Sequence, residues 1–164
     1  MRFGTPPTLR RSRLFRVSIV TLNTLLLAGF AFAEDPSIRV KLMGKWQQSD
    51  PDGQTKSTWT LKELGDSSIH VTNSNPSGTV VDFDCNTGGR ECEIKHAGRK
   101  SKVAVYFNGA KLVELETMKN EVVKRRFTVT PDGDTMELET IPLVPSGSSE
   151  TTHFKRAPAE VSKQ

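Results

Sequence analysis

From Asp50 onward turn signals recur every 8 to 14 residues while helical periodicity is nearly absent. That spacing confines the chain to short strands joined one after another. Nine turns separate ten segments: Asp50-Pro51-Asp52-Gly53, Leu64-Gly65-Asp66-Ser67, Asn75-Pro76-Ser77-Gly78, the Gly88-Gly89 loop, Ala97-Gly98-Arg99-Lys100, Asn108-Gly109, Lys119-Asn120, Pro131-Asp132-Gly133 and Pro145-Ser146-Gly147-Ser148. Each is a local solution, because Gly and Asn tolerate positive φ and Pro presets φ at the second position of a turn. Between the turns apolar residues alternate as half-buried strands require. Trp59 and Leu61 share one face, as do Ile69, Val71 and Asn73, then Val103, Val105 and Phe107, then Met136, Leu138 and Thr140, with Glu137 and Glu139 opposite the last set. Successive antiparallel hairpins with one apolar face close most readily into an all-β, up-and-down β-barrel of 8 to 10 strands, which also removes exposed sheet edges. A β-sandwich is the alternative. The barrel domain is expected over residues 34–157, followed by a short polar tail at 158–164 that is expected to be disordered.

Residues 1–33 follow a different rule. An arginine-rich stretch precedes VSIVTLNTLLLAGFAFA, which runs uncharged to Glu34, and Ala31-Phe32-Ala33 offers the small residues a signal peptidase accepts. The expectation is a signal peptide cleaved after Ala33 and an exported, periplasmic or secreted protein. A membrane anchor would need about 20 apolar residues, and this stretch contains Thr21, Asn23 and Thr24. The leader holds five arginines and no acid, so the remainder carries 18 basic and 19 acidic side chains, and the net +4 of the whole chain becomes −1. A nucleic-acid partner needs a basic surface that displaces counterions from phosphates, and none is left. No membrane contact is expected after cleavage. Cys85 and Cys92 are the only cysteines. In an oxidising compartment they read as one disulfide across the turn Asn86 to Glu91, contributing roughly 2–3 kcal/mol on the chain-entropy model.

Gly44-Lys45-Trp46 near the start and His153-Phe154-Lys155-Arg156 at the end of the last segment resemble the calycin superfamily of lipocalins, fatty-acid-binding proteins and their small exported relatives. The resemblance implies a structural role for Trp46, packed at the closed end of a barrel under Arg156 or Lys155, a cation–π contact on the order of 1 kcal/mol. Ten segments suit the fatty-acid-binding layout better than the eight strands of a lipocalin. Two features depart from it. That layout sets two short helices after the first strand, where this chain has only the turn Ser49 to Lys56, and its carboxylate-holding R-x-Y is met here by Thr152 and Phe154.

No motif of nucleophilic, phosphate-binding or metal chemistry is present, so no enzyme, cofactor or metal is expected. His70, His96 and His153 fall on different segments, and alternation turns His70 to the wet face; Asp82 and Asp84 share a face that reads as solvated. Arg125 is the more informative residue, because strict alternation sets it among Val123, Phe127 and Val129 on the apolar face. A guanidinium aimed into a barrel must be paired. It would anchor an acidic head group, or form an internal ion pair with Glu114 or Glu116, or escape to water at a bulge or rim. Two functions follow. In the first, an exported monomer holds a small, mostly apolar ligand lined by Trp59, Leu61, Val105, Phe107 and Phe127, with Arg125 as polar contact. In the second, seven large aromatics fill the barrel, and the protein binds a protein partner through its surface, as a small lipocalin-like protease inhibitor does.

Overall fold

A computed structural model describes residues 36–158 apart from Ala97; the expected leader at 1–33, nearly all of the expected tail and the side chain of His96 lie outside the described residues. A short helix, α1 (Pro36–Leu42), leads into ten strands: β1 (Gly44–Ser49), β2 (Thr55–Glu63), β3 (Ser68–Asn75), β4 (Gly78–Asn86), β5 (Gly88–His96), β6 (Arg99–Asn108), β7 (Lys111–Met118), β8 (Glu121–Val129), β9 (Thr135–Val144) and β10 (Glu150–Arg156). Eight of the nine expected turns fall where two of these strands join, and the ninth is displaced: Gly88 and Gly89 lie inside β5, and Thr87 makes the connection from β4. The helix was not foreshadowed by periodicity, because seven residues are too few to show one; its local marks are Pro36 at the start and Arg39 and Lys41 in the last turn.

The sheet runs β4-β3-β2-β1-β10-β9-β8-β7-β6-β5, with every neighbour antiparallel and β1 meeting β10 through Trp46↔Arg156 and Gln47↔Lys155. This is a nearly closed up-and-down barrel. Closure stops between β4 and β5, which are the two ends of the sheet. The turn between them is tied elsewhere, with Thr87 N–H donating to Ser67 O (2.8 Å) and Gly88 N–H to the Asn86 side chain (2.7 Å), and β5 starts with a register shift between Gly88 and Glu91. Cys85 and Cys92 bridge this seam as the expected disulfide, Cα atoms 5.8 Å apart. The strands run closer to the turn than expected, so Arg90 and Glu91 belong to β5.

Register fixes what points inward. Trp46 opposes Trp59, Leu61 opposes Val71, Val71 opposes Phe83, and Leu112, Phe127 and Leu138 lie in one cross-strand row. These side chains, with Ile69, Val103, Val105, Met136, Phe154 and Leu42 of α1, form one continuous core.

Candidate functional site

The barrel has two unlike ends. At the end holding the start of β1 and the end of β10, α1 lies against the floor with Leu42 buried, and its Arg39 forms an ion pair with Glu63 (2.7 Å), too poorly aligned for a hydrogen bond, and stands 5.1 Å from the centre of the Phe107 ring. Trp46 is fully buried there and donates from Nε1 to Leu42 O at 2.9 Å. Arg156 covers it, its guanidinium carbon 4.1 Å from the ring centre, and donates to Gly133 O (2.9 Å), Met43 O (3.0 Å) and Lys41 O. Of the two basic candidates for this place, Arg156 fills it; Lys155 points away and donates to Thr135 Oγ1.

The glycine of the G-x-W triplet belongs to the same construction. Gly44 has φ of +134°, and a Cβ there would come within 2.7 Å of Arg156 Nη1. Gly44→Ala is expected to lower stability by about 1–2 kcal/mol through backbone strain and displacement of the guanidinium. Urea unfolding followed by tryptophan fluorescence reads both effects, because Trp46 loses its cover as well.

Above the floor the core is tightly packed. Leu61, Val105 and Phe127 are each at most 1 % exposed and Trp59 is 6 % exposed, its ring edge-on to Phe127 at 5.2 Å between centroids. Phe107 is half-buried near the floor beneath Arg39. The five expected lining residues therefore share the barrel interior, four of them in mutual burial that leaves little wall for a water-sized solute to touch.

Arg125 stands higher, on β8, only 14 % exposed at its side chain. Its Nη1 donates to Glu114 Oε1 (2.5 Å) and to Glu116 Oε2 (2.8 Å), both from β7 and buried to 3 % and 1 % exposure, and Ser101 Oγ donates to Glu116 Oε1 at 2.9 Å. Burial works against the guanidinium charge, but the two carboxylates outweigh it and hold the Arg125 pKa above the ordinary arginine value. Of the three destinations open to this side chain, the geometry is the internal ion pair, with both acids rather than one. The pairing follows from register: Glu114 lies directly opposite Arg125, and Glu116 one inward position further toward the mouth.

Towards the opposite end the inward positions of β1–β3, β9 and β10 become polar and half-exposed, while those of β4–β7, Val81, Ile94, Ser101 and Glu116, stay buried. Gln48, Ser57, Asn73, Thr140 and Thr152 are all of intermediate burial, and Asn73 donates to Ser57 Oγ at 3.0 Å. The segment between β1 and β2 is a turn with Asp50 N–H bonded to Gln54 O, and no helix among the described residues covers this mouth. A groove of about 450 Å³ lies at the rim beside Arg99, Lys100, Met118 and Lys119. A second, shallow one of about 890 Å³ lies outside the floor along Val40, Met43, Lys62 and Ala157.

On the outer surface His70 is more engaged than alternation implies. Its Nδ1 lies 2.7 Å from Asp84 Oδ1, its Nε2 3.7 Å from Asp82 Oδ1 and 3.2 Å from Thr72 Oγ1. The signal available in the sequence is the β3–β4 hairpin, whose register sets His70 against Asp84. Among the described residues no group of three or more His, Cys, Asp or Glu side chains is arranged to hold a metal ion, and no helix is long and apolar enough to cross a membrane.

No family model and no curated protein sequence matches the chain. Solved structures do. The fold is a ten-stranded, nearly closed up-and-down barrel, shared with the fatty-acid-binding protein 1 of Echinococcus granulosus at TM-score 0.58 and 8 % identity, over 73 % of this chain and 99 % of that one. A secretory abundant heat soluble protein of Ramazzottius varieornatus is similar at TM-score 0.58 and 17 % identity, over 71 % and 96 % of the two chains. The Schistosoma mansoni fatty-acid-binding protein, solved with arachidonic acid, is similar at TM-score 0.56 and 18 % identity, over 72 % and 97 %.

Proposed function

We propose that this is an exported, non-enzymatic binding protein that holds a small, mostly apolar ligand in the mouth half of its barrel. The observation that carries the reading is the gradient of packing along the barrel axis. One end is sealed by α1, Trp46 and Arg156, and at the other end the inward positions of β1–β3, β9 and β10 are half-exposed beneath a rim that no helix among the described residues covers. A ligand would rest on the small exposed parts of Trp59 and Leu138, which cover Phe127, and be reached from the rim. The fold neighbours that carry fatty-acid-binding names support a binding role for this architecture. The disulfide suits an oxidising compartment, as export through a leader ending at Ala33 requires.

A second reading is favoured by the burial of Leu61, Val105 and Phe127: a filled barrel that binds a protein partner through its surface. Native mass spectrometry on the protein purified from the exported fraction separates the two. A mass beginning at Glu34 plus a small adduct that is lost on denaturation is the expected result. A bare polypeptide mass, less two hydrogens for the disulfide, would overturn the ligand reading in favour of the filled barrel, and a retained leader would overturn the processing assigned to Ala33.

A further inference from the structure

The ligand's polar end has a chemistry that the mouth half of the barrel defines. A barrel that receives a fatty acid must offer its carboxylate a cation whose charge is not already taken, because a buried carboxylate without a partner is driven to protonate or to leave. Below the rim the only cation among the described inward side chains of this half is Arg125, and its guanidinium already bridges Glu114 and Glu116. Both bonds leave from Nη1, and the cluster of one guanidinium and two carboxylates already carries a net negative charge, so an incoming carboxylate that reached the other guanidinium nitrogens would sit beside two buried acids, a like-charge contact in a region of low dielectric. Arg99 and Lys100 stand at the rim, but they are exposed, where solvent and salt screen them. The half-exposed polar groups below the rim, Gln48, Ser57, Asn73, Thr140 and Thr152, are uncharged, and Glu150, opposite Thr140 at the rim, is an exposed acid. Amide and hydroxyl side chains both donate and accept, and Thr140 lies directly across from Arg125.

We propose that the mouth selects an uncharged amphipathic ligand whose polar end is a hydroxyl or amide, and discriminates against a carboxylate of the same chain length. The inference rests on the reading that the barrel holds a small ligand. The Gln48 amide, the Asn73 carbonyl and the three hydroxyls supply the head-group contacts, the Asn73 amide N–H groups being given to Ser57 Oγ and Thr58 O, and the ion cluster on β7 and β8 supplies the repulsion that specificity against an anion needs.

The test compares decan-1-ol, decanamide and decanoate at pH 7 by titration calorimetry on the disulfide-bonded protein, with native mass spectrometry as a second readout. The alcohol and the amide are expected to bind at least tenfold tighter than decanoate. Decanoate binding as tightly as the neutral pair would overturn the inference and leave the ligand-binding reading standing. Failure of all three to bind would remove that reading and the inference with it. The Glu114→Gln/Glu116→Gln variant adds a second arm, because it releases Arg125: decanoate is expected to gain at least tenfold, and no gain in a variant that unfolds cooperatively would overturn the assignment of the repulsion to these acids. The comparison of the three compounds on the unaltered protein stands even where that variant does not fold.

Discussion

Arg125→Met is expected to lower stability by about 3–5 kcal/mol, read from urea unfolding at pH 7. The methionine replaces the aliphatic stem well enough, so the loss comes from what remains: two carboxylates, at 3 % and 1 % exposure, with the guanidinium between them removed. Water reaches them poorly and each repels the other. Acidification protonates both carboxyls, so the deficit of the variant relative to the unaltered protein should shrink as pH falls. Combining Arg125→Met with Glu114→Gln and Glu116→Gln is expected to recover most of the loss, since the replacement of a whole buried ion cluster by neutral groups of similar volume is often close to neutral. A single variant as stable as the parent would mean that Arg125 reaches water and that the cluster is not closed.

The same cluster marks the limit of what alternation can reveal. On β9 the pattern is unambiguous, because Met136 and Leu138 alternate with Glu137 and Glu139, and the fold places the apolar pair inside. On β7 both faces offer a claim, since Val113 and Leu115 look like core residues while Glu114 and Glu116 look like solvent residues. The barrel turns that strand the other way. The deciding contact is Leu112 opposite Phe127, which locks the parity of the strand and carries Glu114 and Glu116 inward; Val113 is buried on the outer side between Tyr106 and Arg126. Sequence alternation assigns Arg125 inward from its own neighbours, but the two acids that receive it come from an adjacent strand whose parity is settled only by pairing. The G-x-W triplet is legible for a different reason: its three residues act within one turn of chain, and only the partner, Arg156, comes from the far end. The mouth lining is the least legible part. Gln48, Ser57, Asn73, Thr140 and Thr152 are ordinary strand residues one by one, and become a common surface only through the order of the strands.

Cys85→Ala/Cys92→Ala is expected to lower stability by about 2–3 kcal/mol, the loop-closure value for a bridge across seven positions of sequence. Its position adds a second consequence that loop closure alone does not contain. Every other neighbouring pair of strands is joined by a backbone ladder, whereas β4 and β5 are not, so the disulfide is the covalent tie across the one seam of the barrel. Cys85 is buried beside Val103 O and Cys92 is half-buried, which sets the bridge inside the wall rather than on its surface. If the bridge acted only on the unfolded chain, amide hydrogen exchange in the variant would accelerate by the same factor at every site that exchanges through global unfolding, and sites that open locally would be unaffected. A tie across the seam predicts a different map. Amides of Gly78–Asn86 and Gly88–His96 should gain a new local opening and exchange faster than the global factor, while β8 and β9, paired on both sides, follow the global change. Exchange that accelerates uniformly across the barrel would assign the disulfide to the unfolded state alone, and a local acceleration confined to the seam assigns it to the native barrel wall, where it governs how far the interior can open between β4 and β5.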